Sequence, residues 1–176
     1  MFQVGRSELQ SKSLSEIITL FINRRNGTDF SSKQLDFVES YLTTKDDKEI
    51  VQITVNPRPE TGWVNGPVVI DFPVLDLGDL YADFTLTLKY SDVISGRDIP
   101  QLLRYAGGPP TKPLSIELKH VDLGNSENKY LNVSYSLRYE NVFFNGELEL
   151  LIDEAPNTLK AFNALEKILP YQPTSD

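Results

Sequence analysis

VQITVNPRPETGWVNGPVVID (Val51–Asp71) and LNVSYSLRYENVFFNGELELL (Leu131–Leu151) carry one pattern twice, eighty positions apart and without a gap. Arg58/Arg138, Glu60/Glu140, Asn65/Asn145 and Gly66/Gly146 are identical. Val51/Leu131, Ile53/Val133, Trp63/Phe143, Val68/Leu148 and Ile70/Leu150 are conservative pairs. Apolar residues alternate at each end of each stretch, which is the period of a half-buried strand. Each stretch therefore predicts two strands joined by a loop, with Asn65-Gly66 as a bulge or close backbone approach within its strand. Strand pairs of any origin share apolar alternation, so coincidence explains the conservative pairs as well as duplication does. The order of the flanking elements favours duplication.

Upstream of Val51, Ser13-Leu14-Ser15-Glu16 has the form of a capping box. Leu14, Ile17, Ile18, Phe21 and Ile22 then recur with helical spacing, and Asn26-Gly27 ends the helix. Residues 35–42 fit a short helix or a strand, and Thr43–Lys48 a polar loop. Residues 73–83 are expected to form an ordered connector, and Phe84–Tyr90 a strand.

The second half repeats this order. Ser95-Gly96-Arg97-Asp98 resembles the first cap, Ile99, Leu102, Leu103 and Ala106 form a stripe, and Gly107-Gly108-Pro109-Pro110 closes the helix. Strand-like Leu114–Leu118, a polar loop over Asp122–Asn128 and strands in Tyr130–Tyr139 and Asn141–Ile152 follow. Asn157 is expected to cap a last helix with Leu159, Phe162, Leu165 and Leu169 inward, ended by Pro170. The expected fold is α+β, with two similar helix-plus-antiparallel-sheet halves and a C-terminal helix. Residues 1–12 form an arm, 13–90 and 91–155 the two units, and 156–176 the last helix and tail.

A formal charge of −8 over 176 residues, with Lys and Arg scattered, argues against a phosphate-backbone binder. The absence of cysteine excludes disulfides, thiolate metal ligands and cysteine nucleophiles together. No run of eighteen apolar residues is present, and MFQVGRSELQSKS holds no signal-peptide core, so an intracellular or assembly-bound location is expected.

Catalytic motifs are lacking. His120, the single histidine, lies in Glu117-Leu118-Lys119-His120-Val121 with no nucleophile motif beside it. Asp71, Asp76, Asp79 and Asp83 match no EF-hand spacing and read as a solvated connector. Gly107-Gly108 closes a helix, whereas a phosphate cradle opens one. No catalytic, cofactor or metal residue is assigned. Trp63, Phe143 and Phe144 are candidate protein-interface residues. Burial of Phe144 on both sides is favoured, and an exposed Phe144 would mark a partner surface.

Leu14–Asn26-Gly27-Thr28, Gln34-Leu35-Asp36-Phe37, Val51-Gln52-Ile53-Thr54-Val55 and Thr61-Gly62-Trp63-Val64-Asn65-Gly66-Pro67-Val68, ending near Leu75-Asp76-Leu77, together resemble a repeated domain of virion structural proteins from giant (jumbo) tailed bacteriophages. Leu131-Asn132-Val133 and Asn141-Val142-Phe143-Phe144-Asn145-Gly146 resemble it more weakly. The resemblance implies a particle component and not an enzyme, placed in tail, baseplate, neck or head and assembled in the host cytoplasm. It implies other virion proteins and further copies of the chain as partners; no cofactor is expected, and charge and hydropathy set aside nucleic acid and membrane. Edge strands are the expected contacts. The alternatives are a soluble phage-encoded adaptor or binding module and, less favoured, a hydrolase built on two carboxylates.

Overall fold

A computed structural model of the chain describes residues 4–63, 65–122, 129–139 and 141–169. In chain order its elements are α1 (Arg6–Ser11), α2 (Leu14–Asn26), β1 (Leu35–Lys45), β2 (Lys48–Pro57), β3 (Val68–Pro73), β4 (Leu75–Asp76), α3 (Leu77–Leu80), β5 (Leu86–Lys89), α4 (Tyr90–Ile94), α5 (Ile99–Tyr105), β6 (Ser115–Asp122), β7 (Tyr130–Arg138), β8 (Phe144–Asn145), β9 (Glu147–Pro156) and α6 (Leu159–Ile168). The protein is α+β, as the sequence indicates. Its chain forms two compact units. One comprises Met1–Asp76 with Asn141–Asn145, the other Leu77–Glu140 with Gly146–Asp176. The division therefore falls before residue 90, and a short piece of the second repeat belongs to the first unit.

In the first unit, the expected arm over residues 1–12 contains α1, tied to α2 by an Arg24–Glu8 ion pair at 2.9 Å. The capping box forms as read. Ser13 N donates to Glu16 Oε2 at 2.7 Å, and Glu16 N donates to Ser13 Oγ at 3.3 Å. Gly27, at φ 65°, supplies the left-handed residue that ends α2. The helix buries Ile17, Ile18, Phe21 and Ile22. Opposite them stand Val51, Ile53 and Val55, the alternate residues of β2, at 3 % exposure or less. Phe72 meets Phe21 edge-on at a centroid distance of 5.1 Å, which joins helix to sheet.

That sheet is antiparallel in the order β1-β2-β3. Val55, Ile53 and Val51 face Val68, Ile70 and Phe72 across β2 and β3, so those three residues of β3 share one face. Two details differ from the sequence reading. Residues 35–42 are strand, not helix, and the strand continues through Lys45. The connection to β2 is only Asp46-Asp47, at φ 51° and 58°, the paired left-handed backbone of a tight hairpin. Polarity misleads here because β1 is an edge strand with mostly exposed residues, so burial does not select apolar side chains along it. The second strand begins at Val68, so Asn65-Gly66 precedes the strand and is not a bulge within it. A 3-10 turn at Pro59–Thr61 and a positive φ at Gly66 place Trp63 and Asn65-Gly66 in the loop before it.

The second unit holds a four-stranded sheet ordered β5-β9-β7-β6. Its β6-β7-β9 part is antiparallel, like β1-β2-β3. Both edge strands carry a register shift, at Phe37/Glu39 and at Leu118/His120. β5 is narrower than the expected Phe84–Tyr90 and pairs in parallel with β9, and β4 pairs in parallel with β8, so the sheets are not wholly antiparallel. Parallel pairing requires strands distant in sequence, which local alternation does not encode.

The C-terminus of α5 is a Schellman arrangement. Gly107 N donates to Arg104 O at 3.0 Å and Gly108 N to Leu103 O at 2.9 Å, with Gly107 at φ 103°. At the N-terminus of α5 the cap is Asp98 without a side-chain bond, and Ser95 Oγ instead donates to Asp92 O at 2.8 Å behind the unforeseen α4. Thr158, not Asn157, caps α6, with its side chain accepting from Ala161 N at 3.2 Å. Leu165 and Leu169 point inward, whereas Leu159 is 77 % exposed because it occupies the first turn. Glu140, Pro170, most of the loop after Asp122 and the tail lie outside the described residues.

Candidate interaction surface

The three aromatics named from sequence separate in the fold. Phe143 and Phe144 are 8 % and 4 % exposed, so neither offers a surface, and their assignment as interface residues is corrected. The cause is β8. Leu75 N donates to Phe143 O at 2.9 Å, Leu75 pairs with Phe144, and the Phe143 ring lies 5.9 Å from that of Phe72. These rings complete the core of the first unit.

Trp63 is 43 % exposed. Its Nε1 donates to Gly66 O at 2.9 Å, which fixes the indole over its own loop. The ring forms one wall of an apolar cleft of about 180 Å³ lined by Ile22, Phe30, Leu35, Val55 and Val68. Phe30 is positioned by Asn23, whose Nδ2 donates to Phe30 O at 2.8 Å while its Oδ1 accepts from Phe30 N at 3.0 Å and Thr28 Oγ1 at 2.9 Å. In the sequence Asn23 is one polar position among many in an amphipathic helix. The adjacent Asn-Gly-Thr turn was the available signal that something must hold that turn.

β1 supplies three more exposed apolar residues of this unit, beside Val68 and Val69 of β3. Val38, Tyr41 and Leu42 are 64 %, 48 % and 47 % exposed. Val38 is the extra residue of the bulge, since Phe37 pairs with Val55 and Glu39 with Thr54. On the outer sheet face a polar ladder crosses all three strands. Tyr41 Oη donates to Gln52 Oε1 at 2.6 Å, Gln52 Nε2 donates to Asp71 Oδ1 at 3.1 Å, and Lys45 Nζ donates to Asp71 Oδ2.

The Lys45 hydrogen bond, then that from Gln52, holds the Asp71 carboxyl below its ordinary value of 3.8. The unfolded chain therefore takes up this proton at higher pH than the folded one. The stabilisation is complete above pH 3.8 and is lost as pH falls through the folded value. Asp71→Asn is expected to reduce the loss of first-unit stability between pH 6 and pH 3, measured as the urea midpoint followed by Trp63 emission. An unchanged acid dependence would contradict the ladder.

Other sequence candidates remain dispersed. His120 is exposed on β6, and Asp71, Asp76 and Asp79 occupy β3, β4 and α3 in turn. Among the described residues no three His, Cys, Asp or Glu side chains gather in a way that could hold a metal ion. Burial and then Glu166 push the Tyr135 hydroxyl up to about 12, and burial also raises that of Tyr139, so both stay protonated. Asp46 and Asp71 line one cleft together with Arg25, Lys45 and Lys48. The depressed Asp71 is the opposite of the raised carboxyl that a general acid requires. No described helix is long and apolar enough to cross a membrane. Comparison with family models, with curated proteins and with solved structures finds no match for this chain.

Proposed function

We propose that the chain is a structural or assembly component of a large tailed-phage particle, in its tail, baseplate, neck or head, acting through protein–protein interfaces. The observation that carries the interface reading is β1, an edge strand of eleven residues with exposed Val38, Tyr41 and Leu42. No described strand pairs with its other side, which is open to a strand of another chain. The particle itself is suggested only by the resemblance of the helix and strand pattern to a repeated domain of virion proteins from giant phages. Mass spectrometry of purified particles is expected to recover peptides of this chain in constant ratio to the other virion proteins. Recovery from infected cells but not from particles would overturn the reading.

One observation favours a soluble adaptor instead. The cleft beside Trp63 is apolar and partly enclosed, a form suited to a side chain of a bound peptide. A stable one-to-one complex with a non-virion protein, disrupted by Trp63→Ala, would support that alternative.

A further inference from the structure

We infer that β1 pairs antiparallel with β1 of a second copy of this chain, about a two-fold axis at Leu42. The inference names the partner of the edge strand and rests on the assembly reading for its biological meaning. Its physical grounds are separate.

The first ground is the direction of the backbone groups. A two-residue turn at Asp46-Asp47 makes Lys45 and Lys48 a hydrogen-bonded pair. Pairing continues without interruption back to Glu39 opposite Thr54. N–H and C=O groups therefore point toward β2 at Glu39, Tyr41, Thr43 and Lys45, and toward the open side at Ser40, Leu42 and Thr44. A two-fold axis at Leu42 sets Leu42 opposite Leu42, and Ser40 opposite Thr44 in both directions. All three outward-facing residues then meet outward-facing residues. An axis at Tyr41 or Thr43 pairs only two of the three outward-facing residues, because Thr44 then meets the Val38 bulge or Ser40 meets the Asp46-Asp47 turn, and one at Ser40 sets Leu42 against that bulge.

The second ground is charge. The same register places Glu39 of each copy opposite Lys45 of the other, on the outer face, because directly opposed residues share a face. Lys45 carries three donor hydrogens, so its bond to Asp71 leaves capacity for Glu39 of the second copy. Between these charges lies Ser40-Tyr41-Leu42-Thr43-Thr44, which is uncharged. Charges that would deter other strands thus attract an identical one. Two other edges are more interrupted by charge: β3 keeps an exposed Val69 but contains Asp71 and ends at Pro73, and β6 presents Glu117, Lys119 and His120 around an exposed Leu118.

The chain has no cysteine, so a single introduced one can form a disulfide only between copies. Opposed residues in a hydrogen-bonded antiparallel pair have Cα atoms about 5.5 Å apart, inside the roughly 4.4–6.8 Å that a disulfide spans. Leu42→Cys should therefore oxidise to a covalent dimer. Tyr41→Cys is the control. Tyr41 is as exposed as Leu42, at 48 % against 47 %. In this register it faces Thr43, which leaves its own symmetry mate beyond about 7 Å.

We expect dilute purified L42C to cross-link at least about ten-fold faster than Y41C, the gain of a held geometry over random encounter. Adding Glu39→Lys to L42C should slow it at low salt, and salt should relieve the slowing. Equal rates for L42C and Y41C would overturn the pairing, and a rate insensitive to E39K would overturn the register. Either result leaves particle membership to be decided by mass spectrometry, so the two proposals fail separately.

Discussion

Phe72→Ala is expected to destabilise the first unit by about 3–5 kcal/mol, the usual cost of removing a buried aromatic ring. Phe72 has no exposed surface. Its ring stands between Phe21 at 5.1 Å and Phe143 at 5.9 Å, both edge-on. It therefore joins α2, β3 and the returning segment 141–145. Alanine at this position removes the ring's transfer free energy and leaves both neighbours without a contact face. The sheet cannot close the space, because the register Val51–Phe72 holds the backbone in place. Urea unfolding followed by the single tryptophan, which belongs to this unit, reads the effect directly. A loss below about 1 kcal/mol would mean that the three rings do not form one core, since core truncations of this size cost several times that.

Asn23→Ala is expected to cost about 2–3 kcal/mol, because three side-chain hydrogen bonds are lost at roughly 0.5–1.5 kcal/mol each with partial exchange for water. Both ends of the amide are used. Nδ2 and Oδ1 grip the two backbone groups of Phe30, and Oδ1 also accepts from Thr28. The backbone C=O of Asn23 accepts from Gly27 N at 2.9 Å and Thr28 N at 3.2 Å, closing the helix. One residue thus ends α2 and sets the loop that builds the Trp63 cleft. Thr28→Ala removes one of the three side-chain bonds and should cost roughly a third as much. Beyond stability, Asn23→Ala should shift Trp63 emission to the red as Phe30 leaves the cleft. An unshifted spectrum together with full stability would contradict the clasp.

The parts of this fold that were legible in the sequence are those whose causes are local. Ser13 and Glu16 form their box within four residues, and Gly27 relieves a left-handed backbone at its own position. Val51, Ile53 and Val55 alternate because β2 is the middle strand, with one face on the core. The matched Gly66 and Gly146 both have positive φ, at 76° and 83°, the left-handed backbone that glycine adopts without strain. β1 was harder to read, because an exposed edge lacks the burial that writes alternation into a strand.

The candidate surface was legible only in part. Trp63 is exposed, but nothing near Phe143 and Phe144 reveals that Leu75, some seventy positions earlier, pairs with Phe144 and draws both rings inward. Val38, Tyr41 and Leu42 drew no attention because their significance lies in being at an edge, a property of sheet order.

By itself, then, the sequence determined α2 with both its ends, the glycine stop of α5 and the middle strands, since these follow from neighbours within a few residues. Tertiary structure alone decided which strand lies at the edge, which aromatics are covered and which pairings run parallel. Those outcomes depend on residues far apart in the chain competing for the same buried face.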